Sequence, residues 1–402
     1  MAVFDFFANM EDSRLKPRLL KSLITDRLPT NENEKEPFTA PYELAAVVST
    51  IKTHSLLSES LPEPCDPKLV ETWKSAVDAW IEHLLSLISS KMPDKCWAGI
   101  CLLGVTCQEC SLDRFLASYS VWFQKLFAQI QLPSDSHFVK IASCASLSDL
   151  FTRLGGFSTV KKDGTSQASQ LIQPILKLLT EEVSETMWEG AVDLLCTLMT
   201  FFPSSVHRYY DNAEAVIVSK ILSGKYNSGM SKKFAEVLAL LPKARGDEDS
   251  WTLLMQKILI SINMHLNDAF QGLEEETKST EVVRLLVPPG KDPPPPLGGQ
   301  SVLEEVSAQA TKWFDQWLML RVSTLMQCCC IMLTSPYTVQ VTVPVRLLLA
   351  LVGRVLSVDG SLGQALQPFM TVMQQELICS ELPVLHLGSL DILIAVIKGV
   401  RR

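Results

Sequence analysis

Apolar residues recur every three or four positions along most of this chain, which is the spacing of helices with one buried face. The segment from Ser111 to Ile130 shows this pattern most plainly. Its apolar stripe consists of Phe115 with Leu116, Tyr119, Trp122 with Phe123, Leu126 with Phe127, and Ile130. This spacing predicts an amphipathic helix that packs on one face.

The preceding segment, Lys95 to Cys110, has a different pattern. It is apolar around nearly its whole circumference and carries Gly99 and Gly104 in its interior. A helix of this kind must be enclosed by neighbours on several sides. The segment is therefore predicted to be an inner helix, and an inner helix followed by an amphipathic one is typical of a helical repeat.

The same reading gives helices along the whole chain. They are predicted at 14–25, 41–57, 67–90, 94–109, 112–131, 136–154, 168–182, 184–201, 211–222, 230–241, 250–272, 302–333, 343–356, 363–378 and 382–399. A period of two occurs only at 338–345, where Pro344 weakens it as a strand. Prolines near helix boundaries are spaced by about 40 residues, the length of a HEAT or armadillo repeat. The predicted fold is an all-α, HEAT/armadillo-like α-solenoid of irregular helical repeats.

Three segments have the composition of loops: 27–41, 155–166 and 272–300. The last contains an acidic run and then Pro293 to Pro296, with too little apolar surface to offset the entropy of ordering. It marks the predicted domain boundary, with an N-terminal helical-repeat domain at 1–272, a linker or insertion at 273–300 and further repeats at 301–402. The proline run is also a candidate ligand for an SH3 or WW domain.

Charge and composition restrict the classes of protein to which this chain can belong. The 402 residues are 47% hydrophobic and 20% charged, which excludes general disorder, and the length exceeds what one core usually supports. The net charge is −8, whereas a nucleic-acid-binding surface is basic. Any RNA contact is therefore expected to be local, and Arg14, Arg18 and Lys21, which share one face of the first helix, are the candidates.

The N-terminus predicts no secretory signal, because Asp5, Glu11 and Asp12 stand where such a signal is basic and then apolar. The uncharged apolar stretches are shorter than the ~20 residues that span a bilayer. We expect a soluble intracellular protein that contacts no membrane. Most of the eleven cysteines lie in apolar helical runs, as small buried hydrophobes do in a reducing compartment.

Cys107 and Cys110 form the only CxxC motif and raise the alternative of a zinc or thiol site. Cys96 lies about 16 Å from Cys107 along a helix axis, so the two cannot share one ion. The six histidines are scattered, and His265 with Asp268 is explained as well by a surface pair as by a catalytic dyad. The expectation is a protein that is not an enzyme and holds no metal, cofactor or catalytic residue.

The stretch from Lys95 to Leu126, KCWAGICLLGVTCQECSLDRFLASYSVWFQKL, resembles the N-terminal domain of the Rix family of pre-rRNA-processing proteins, which includes the proline-, glutamic acid- and leucine-rich protein. The likeness extends more loosely over about Leu15 to Leu241. Its motif is a packing signature, so the resemblance transfers no site residue, and the partner-binding residues are unknown.

The resemblance implies a non-enzymatic scaffold in the nucleus and nucleolus. It implies a role in large ribosomal subunit biogenesis, including removal of the second internal transcribed spacer from pre-rRNA. The implied partners are a WD-repeat propeller protein, a second helical-repeat protein and a large remodelling ATPase on large-subunit precursors. A homodimer is implied as well.

This chain departs from the family pattern in two respects. Family members often continue into a long acidic, proline-rich tail, whereas this sequence stops at Arg402. The relative's name is associated with LxxLL docking motifs, and only near-matches occur here, at 81–85, 175–179 and 282–286, where we expect the leucines to be core residues. The alternative functions are a nuclear coregulator-type or other HEAT-repeat adaptor, and a cysteine-based zinc protein.

Overall fold

The structure is a computed structural model that describes residues 2–29, 41–60, 66–132, 136–181, 184–270, 273–274, 276–290, 292–300, 302, 318–359 and 372–400. In these ranges every regular element is helical, so the predicted all-α class is confirmed. The α-helices are α1 Ala2–Arg27, α2 Pro41–His54, α3 Pro67–Ile88, α4 Pro93–Glu109, α5 Leu112–Gln131, α6 His137–Leu154, α7 Lys161–Thr180, α8 Glu185–Phe201, α9 Tyr210–Ser223, α10 Ser228–Leu240, α11 Glu248–Ala269, α12 Glu276–Leu286, α13 Leu318–Thr334, α14 Val345–Leu356 and α15 Val372–Val400.

The chain divides into two compact units. The first comprises Met1–Pro174 with Thr186–Thr197, and the second comprises Ile175–Glu185 with Leu198–Arg402. The predicted linker at 273–300 thus belongs to the second unit, and the division into three domains stays a prediction.

In the first unit, α4 is the inner helix that the sequence predicts. It packs against α3 and α6, with smaller contacts to α2 and α5. Its two glycines make these close contacts possible. A Cβ atom on Gly99 would lie 2.8 Å from Leu87 Cβ of α3, and one on Gly104 would lie 2.7 Å from Ser146 Oγ of α6. Each glycine therefore allows one neighbouring helix to approach α4 at van der Waals distance.

The predicted stripe of α5 is confirmed as well, although Leu116 and Phe127 at its margin are only half-buried. Its buried residues are Phe115, Tyr119, Trp122, Phe123, Leu126 and Ile130. They face mainly α6, where Phe123 meets Phe151 edge to face with 6.0 Å between the ring centroids. Aromatic contacts of this kind stabilise the packing of α5 on α6.

In the second unit, α13 occupies the inner position. It packs against α10, α11 and α15, and α14 packs against α15 and α12. Tyr226, Ser231 and Thr324 form a buried hydroxyl network at the contact with α10, in which Thr324 Oγ1 lies 3.1 Å from the Tyr226 hydroxyl and 2.7 Å from Ser231 Oγ. The network satisfies polar groups inside an otherwise apolar layer.

The sequence reading is wrong about two of the three loops. The predicted loop at 272–300 contains α12, whose Val282 and Leu286 are buried although acidic residues and prolines flank the helix. The predicted loop at 155–166 ends early, because α7 begins at Lys161 and the Tyr119 hydroxyl of α5 bonds to Asp163 Oδ2 at 3.3 Å. Residues 30–40 of the third loop lie outside the described residues.

Two predicted helices near the C-terminus differ from those in the structure. The two helices predicted at 363–378 and 382–399 are one helix, α15, where described, and Pro383 lies inside it. Burial of Ile378, Leu382 and Leu385 on either side of the proline provides packing that offsets the ~3 kcal/mol cost of an internal proline. Of the helix predicted at 302–333, residues 303–317 lie outside the described residues, as do residues 363–371.

Candidate functional site

The C-terminal end of α4 is built around the cysteine pair and an arginine from α6. Arg153 Nη1 donates to the carbonyl oxygen of Cys107 at 2.6 Å, and Nη2 donates to that of Cys110 at 2.6 Å. The guanidinium carbon lies 4.7 Å from the ring centroid of Phe115. Because the last carbonyls of a helix lack partners within it and carry partial negative charge, Arg153 satisfies and neutralises this helix end.

Burial disfavours the thiolate form of both cysteines. Burial raises the pKa of Cys107 well above its ordinary value, and the neighbouring Cys110 and Asp149 act in the same direction. Burial also raises the pKa of Cys110, although Arg153, which lies 3.3 Å from its sulfur, opposes the shift. Zinc binding and thiol chemistry both require the thiolate. The geometry therefore favours a structural role for these cysteines, and the described residues contain no group of three metal-ligating side chains.

Two hydrogen bonds join the inner helix α4 to α2 and α6 near the same end. Lys52 of α2 donates to Gln108 Oε1 of α4 at 3.1 Å, and Gln108 Nε2 donates to Asp149 Oδ1 of α6 at 2.6 Å. The pKa of Asp149 is raised because it is partly buried, while the bond from Gln108 acts in the opposite direction. These two hydrogen bonds join α2, α4 and α6 and thereby fix their register.

A second cluster joins the segment after α2 to α3 and α5. Glu59, which has a positive φ of 52°, accepts bonds from Arg114 Nη2 at 2.8 Å and from Ser111 Oγ at 2.7 Å. Arg114 Nη1 also bonds to Asp78 of α3. These partners raise the pKa of Arg114, which stays charged. The cluster therefore holds the segment after α2 against α3 and α5.

In the second unit, Glu214 links α9 to α11 and to the segment at 292–300. Its buried carboxylate accepts a bond from Lys257 Nζ of α11 at 2.8 Å and from the backbone N–H of Gly298 at 3.0 Å. Gly298 has a φ of 77°, and a Cβ there would lie 2.8 Å from Val218 Cγ1. The segment at 292–300, expected to be a solvent-exposed insertion, thus packs on α9 at this point, with Leu297 buried beside the glycine.

A cleft of about 330 Å³ lies in the second unit between α11, α12 and α14. Its walls are mainly aliphatic side chains and prolines, with few polar groups. The lining residues are Thr252, Met255, Gln256, Leu259, Leu285, Leu286, Val287, Pro288, Asp292, Pro294, Pro344 and Leu347. Gln256 Nε2 is occupied by the carbonyl of Leu286 at 2.9 Å. The cleft offers space for an aliphatic group and lacks the converging ionisable groups of an active site.

The other sequence candidates are placed as follows. Arg14, Arg18 and Lys21 are exposed on α1, so a local RNA contact there stays a prediction. Among the near-LxxLL segments, the leucines at 178, 179, 84 and 286 are buried, as predicted, whereas Leu85 is half-buried and Leu285 is 39% exposed. Ile378–Gly399 of α15 is long and apolar enough to cross a membrane by length and composition, a property that core helices of soluble proteins share.

The residues that organise these clusters were not found by sequence reasoning. Arg153, Glu214 and Gly298 carry no local signal, since their partners lie 43 to 84 positions away along the chain. The structure joins Cys107 to Cys110 through Arg153 and leaves Cys96 apart, with its thiol donating to the carbonyl of Ile88 at 3.3 Å.

The described residues thus form an all-helical protein in which buried polar clusters join one helix to the next. The sequence comparison makes the assignment specific. The model of the RIX1 family, described as rRNA processing/ribosome biogenesis, matches residues 17–228, which is more than half of the chain. The chain belongs to this family, so the family predicted from the sequence is confirmed, and the family's description agrees with the predicted role in ribosome biogenesis and rRNA processing.

The fold agrees with this assignment. A chain described as "Rix1-Rea1 pre-60S particle - Rix1-subcomplex, body 3" superposes with a TM-score of 0.58 at 14% sequence identity. The match covers 92% of this chain and 63% of the other, so this chain spans less than two thirds of the length of the structure that it matches. A comparison with curated proteins finds no match.

Proposed function

We propose that this protein is a non-catalytic scaffold of large ribosomal subunit assembly. The single observation that carries the proposal is the family match over residues 17–228. The chemistry of the clusters supports it, because their charged groups are engaged in ion pairs and helix-end contacts. A protein that positions other macromolecules needs surfaces and a rigid core, and no reactive group.

The proposal includes partners and location. The matched chain is part of a Rix1 subcomplex in a Rix1-Rea1 pre-60S particle. We propose that this chain likewise associates with a large remodelling ATPase, a WD-repeat propeller protein and a second helical-repeat protein on pre-60S particles. A homodimer of the chain is part of the same proposal. Its site of action is then the nucleolus and nucleus.

The proposal also includes the architecture. Inner helices packed between neighbours, such as α4 between α3 and α6, are what stacked helical repeats require. We propose that the layers form an irregular α-solenoid of the HEAT/armadillo type. Such an array contacts several partners because each layer contributes surface without needing a pocket.

Depletion of the protein tests the function. We expect pre-rRNA that retains the second internal transcribed spacer to accumulate, and the tagged protein to sediment with pre-60S particles. Re-expression of the wild-type chain should restore processing. If depletion leaves the pre-rRNA unchanged and the protein sediments apart from pre-60S particles, the proposal is wrong.

A further inference from the structure

The outer face of α15 is an apolar stripe that the described residues of the second unit leave exposed. Five of its large side chains are 43 to 64% exposed, with Leu387 the most exposed. They are Val384, Leu387, Leu390, Ile394 and Ile397. Their spacing of three or four residues places them on one side of the helix over about 20 Å.

The opposite side of α15 is firmly packed on α13. A Cβ on Gly388 would lie 3.1 Å from Met326 Sδ, and one on Gly399 would lie 2.7 Å from the carbonyl oxygen of Leu333. The helix is therefore a fixed part of the unit, and its exposed stripe is a surface. An apolar stripe of this extent on an ordered helix usually marks an interaction site.

The charges on this face distinguish between possible partners. Asp391 is exposed beside the stripe, Glu376 is exposed about 12 Å before it along the helix axis, and Lys398 is exposed next to its last residue, Ile397. In a symmetric antiparallel pair of α15 helices about the middle of the stripe, the two Asp391 carboxylates would lie next to each other. Like charges at a contact are unfavourable, so a second copy of this chain bound in that antiparallel arrangement is a poor partner here. Anionic lipid is disfavoured for the same reason.

The size of the stripe also points to a small partner. A standard protein interface uses about 20 residues on each side, whereas this face offers five large apolar side chains on one helix. An amphipathic helix that lays its apolar face on a stripe of this length matches it in size. Basic residues beside its apolar positions would complement Glu376 and Asp391.

We propose that the outer face of α15 binds an amphipathic helix of a partner protein, whose apolar residues recur every three or four positions and are flanked by Lys or Arg. This proposal rests on the scaffold function and extends it by naming a surface and the chemistry of its partner.

A peptide-binding experiment on the purified full chain tests it. The probe is a fluorescently labelled 18-residue amphipathic helical peptide with Leu and Ile on one face and Lys on its flanks, compared with the same peptide carrying Glu in place of Lys. In fluorescence anisotropy we expect the Lys peptide to bind at least about five-fold more tightly at low salt. The double variant with Leu387→Glu and Ile394→Glu should weaken its binding by at least about ten-fold, as loss of an interface anchor does.

Two further variants keep the test sharp. Val121→Glu, at an exposed apolar position of α5 in the first unit, should leave binding unchanged. Asp391→Lys leaves the apolar stripe intact and should reverse the preference to the Glu peptide, so the proposal is testable even if the double variant does not fold. Circular dichroism establishes the folding of each variant.

Three results would overturn the proposal: equal binding of both peptides or no binding of either; a dimer in sedimentation equilibrium that Leu387→Glu converts to a monomer; or flotation with phosphatidylcholine vesicles that Leu387→Glu abolishes. None of them bears on pre-60S association. Sedimentation of the wild-type chain with pre-60S particles tests the scaffold function separately, so the two failures are distinguishable.

Discussion

The guanidinium of Arg153 donates to the carbonyl oxygen of Cys110 at 2.6 Å and thereby joins α6 to the end of α4. A second nitrogen of the same group reaches the carbonyl of Cys107. The fork geometry of arginine allows both bonds at once, which lysine cannot reproduce. The CxxC motif is thus explained by the helix end that it forms.

Replacing Arg153 with Ala should lower the free energy of unfolding by about 2–3 kcal/mol, because two charge-assisted hydrogen bonds are lost and the helix carbonyls are left unpaired. Arg153→Lys should recover less than half of this loss. Urea unfolding followed by circular dichroism measures both changes. Arg208→Ala, at an exposed arginine, is the control and should change the midpoint little. Equal midpoints for Arg153→Ala and the control would contradict this role.

The inner helix α4 could be predicted from sequence, but the hydrogen bonds that join its end to α6 could not. An apolar circumference and two internal glycines identify α4, and the period of α5 identifies its buried face, because these patterns are local. The partners of Arg153 lie about 45 positions earlier in the chain, and nothing in the spacing pairs them. The helix α12 was missed because, of its described side chains, two are buried, Val282 and Leu286, and the acidic and proline-rich flanks hide that short pattern.

Gly99 and Gly353 should respond to alanine in opposite directions. A Cβ at position 99 would lie 2.8 Å from Leu87 Cβ and 3.0 Å from the backbone nitrogen of Ile88, so α3 and α4 must separate. Gly99→Ala should therefore destabilise the protein by about 1–3 kcal/mol, as overpacking does. A Cβ at position 353 of α14 meets no atom within 4 Å. Gly353→Ala should stabilise by up to about 1 kcal/mol through helix propensity.

Thermal and urea unfolding of the two alanine variants, compared with the wild-type chain, check this pair of predictions. A Gly99→Ala protein as stable as the wild type would show that the helices do not pack as closely as the structure has them.

The buried thiols should react slowly in the folded protein. Burial raises the pKa of Cys96 to about 11 and that of Cys144 to about 12. At pH 8 the thiolate fraction of a thiol with a pKa of 11 is about 10⁻³, against about 0.2 for a free cysteine of pKa 8.5, and only the thiolate reacts. Iodoacetamide labelling read by mass spectrometry should therefore be at least about 100-fold slower at both sites than for glutathione.

The raised pKa values of these thiols also determine how the stability of the protein depends on pH. Because the folded pKa exceeds the unfolded one, these thiols contribute stability that is fully present below about pH 8.5 and is lost as pH rises toward 11. Labelling of the urea-unfolded chain at the rate of glutathione is the control. Native labelling at that same rate would mean that the two thiols are accessible.

Alanine variants at Gly298 and Gly299 test whether the segment at 292–300 packs on α9. Both have positive φ, so alanine carries a similar backbone cost of about 1 kcal/mol at either position. Only at Gly298 would the new Cβ meet Val218, at 2.8 Å. Gly298→Ala should destabilise more than Gly299→Ala, and amide hydrogen exchange should show faster exchange at residue 298, whose N–H bonds to Glu214. Equal exchange in the two variants would argue against the contact with α9.

Arg354 of α14 forms a buried ion pair with Glu274 and also bonds to the side chain of Asn263 on α11. Removing one partner of a buried pair leaves an uncompensated charge, so Glu274→Leu should destabilise by about 3–5 kcal/mol. Replacing both residues, as in Glu274→Leu with Arg354→Met, removes the charge together with its partner and should restore much of the loss.

The exposed pair Arg245 with Asp211, at 3.2 Å, is the control for this cycle. Because Asp211 is 91% exposed, Asp211→Leu should change the free energy of unfolding by no more than about 1 kcal/mol. Urea unfolding of the two single variants and the double variant measures the coupling directly. A double variant as unstable as the sum of its single variants would show that Arg354 and Glu274 act independently, and the buried pair would then not be what fastens α14 to the segment after α11.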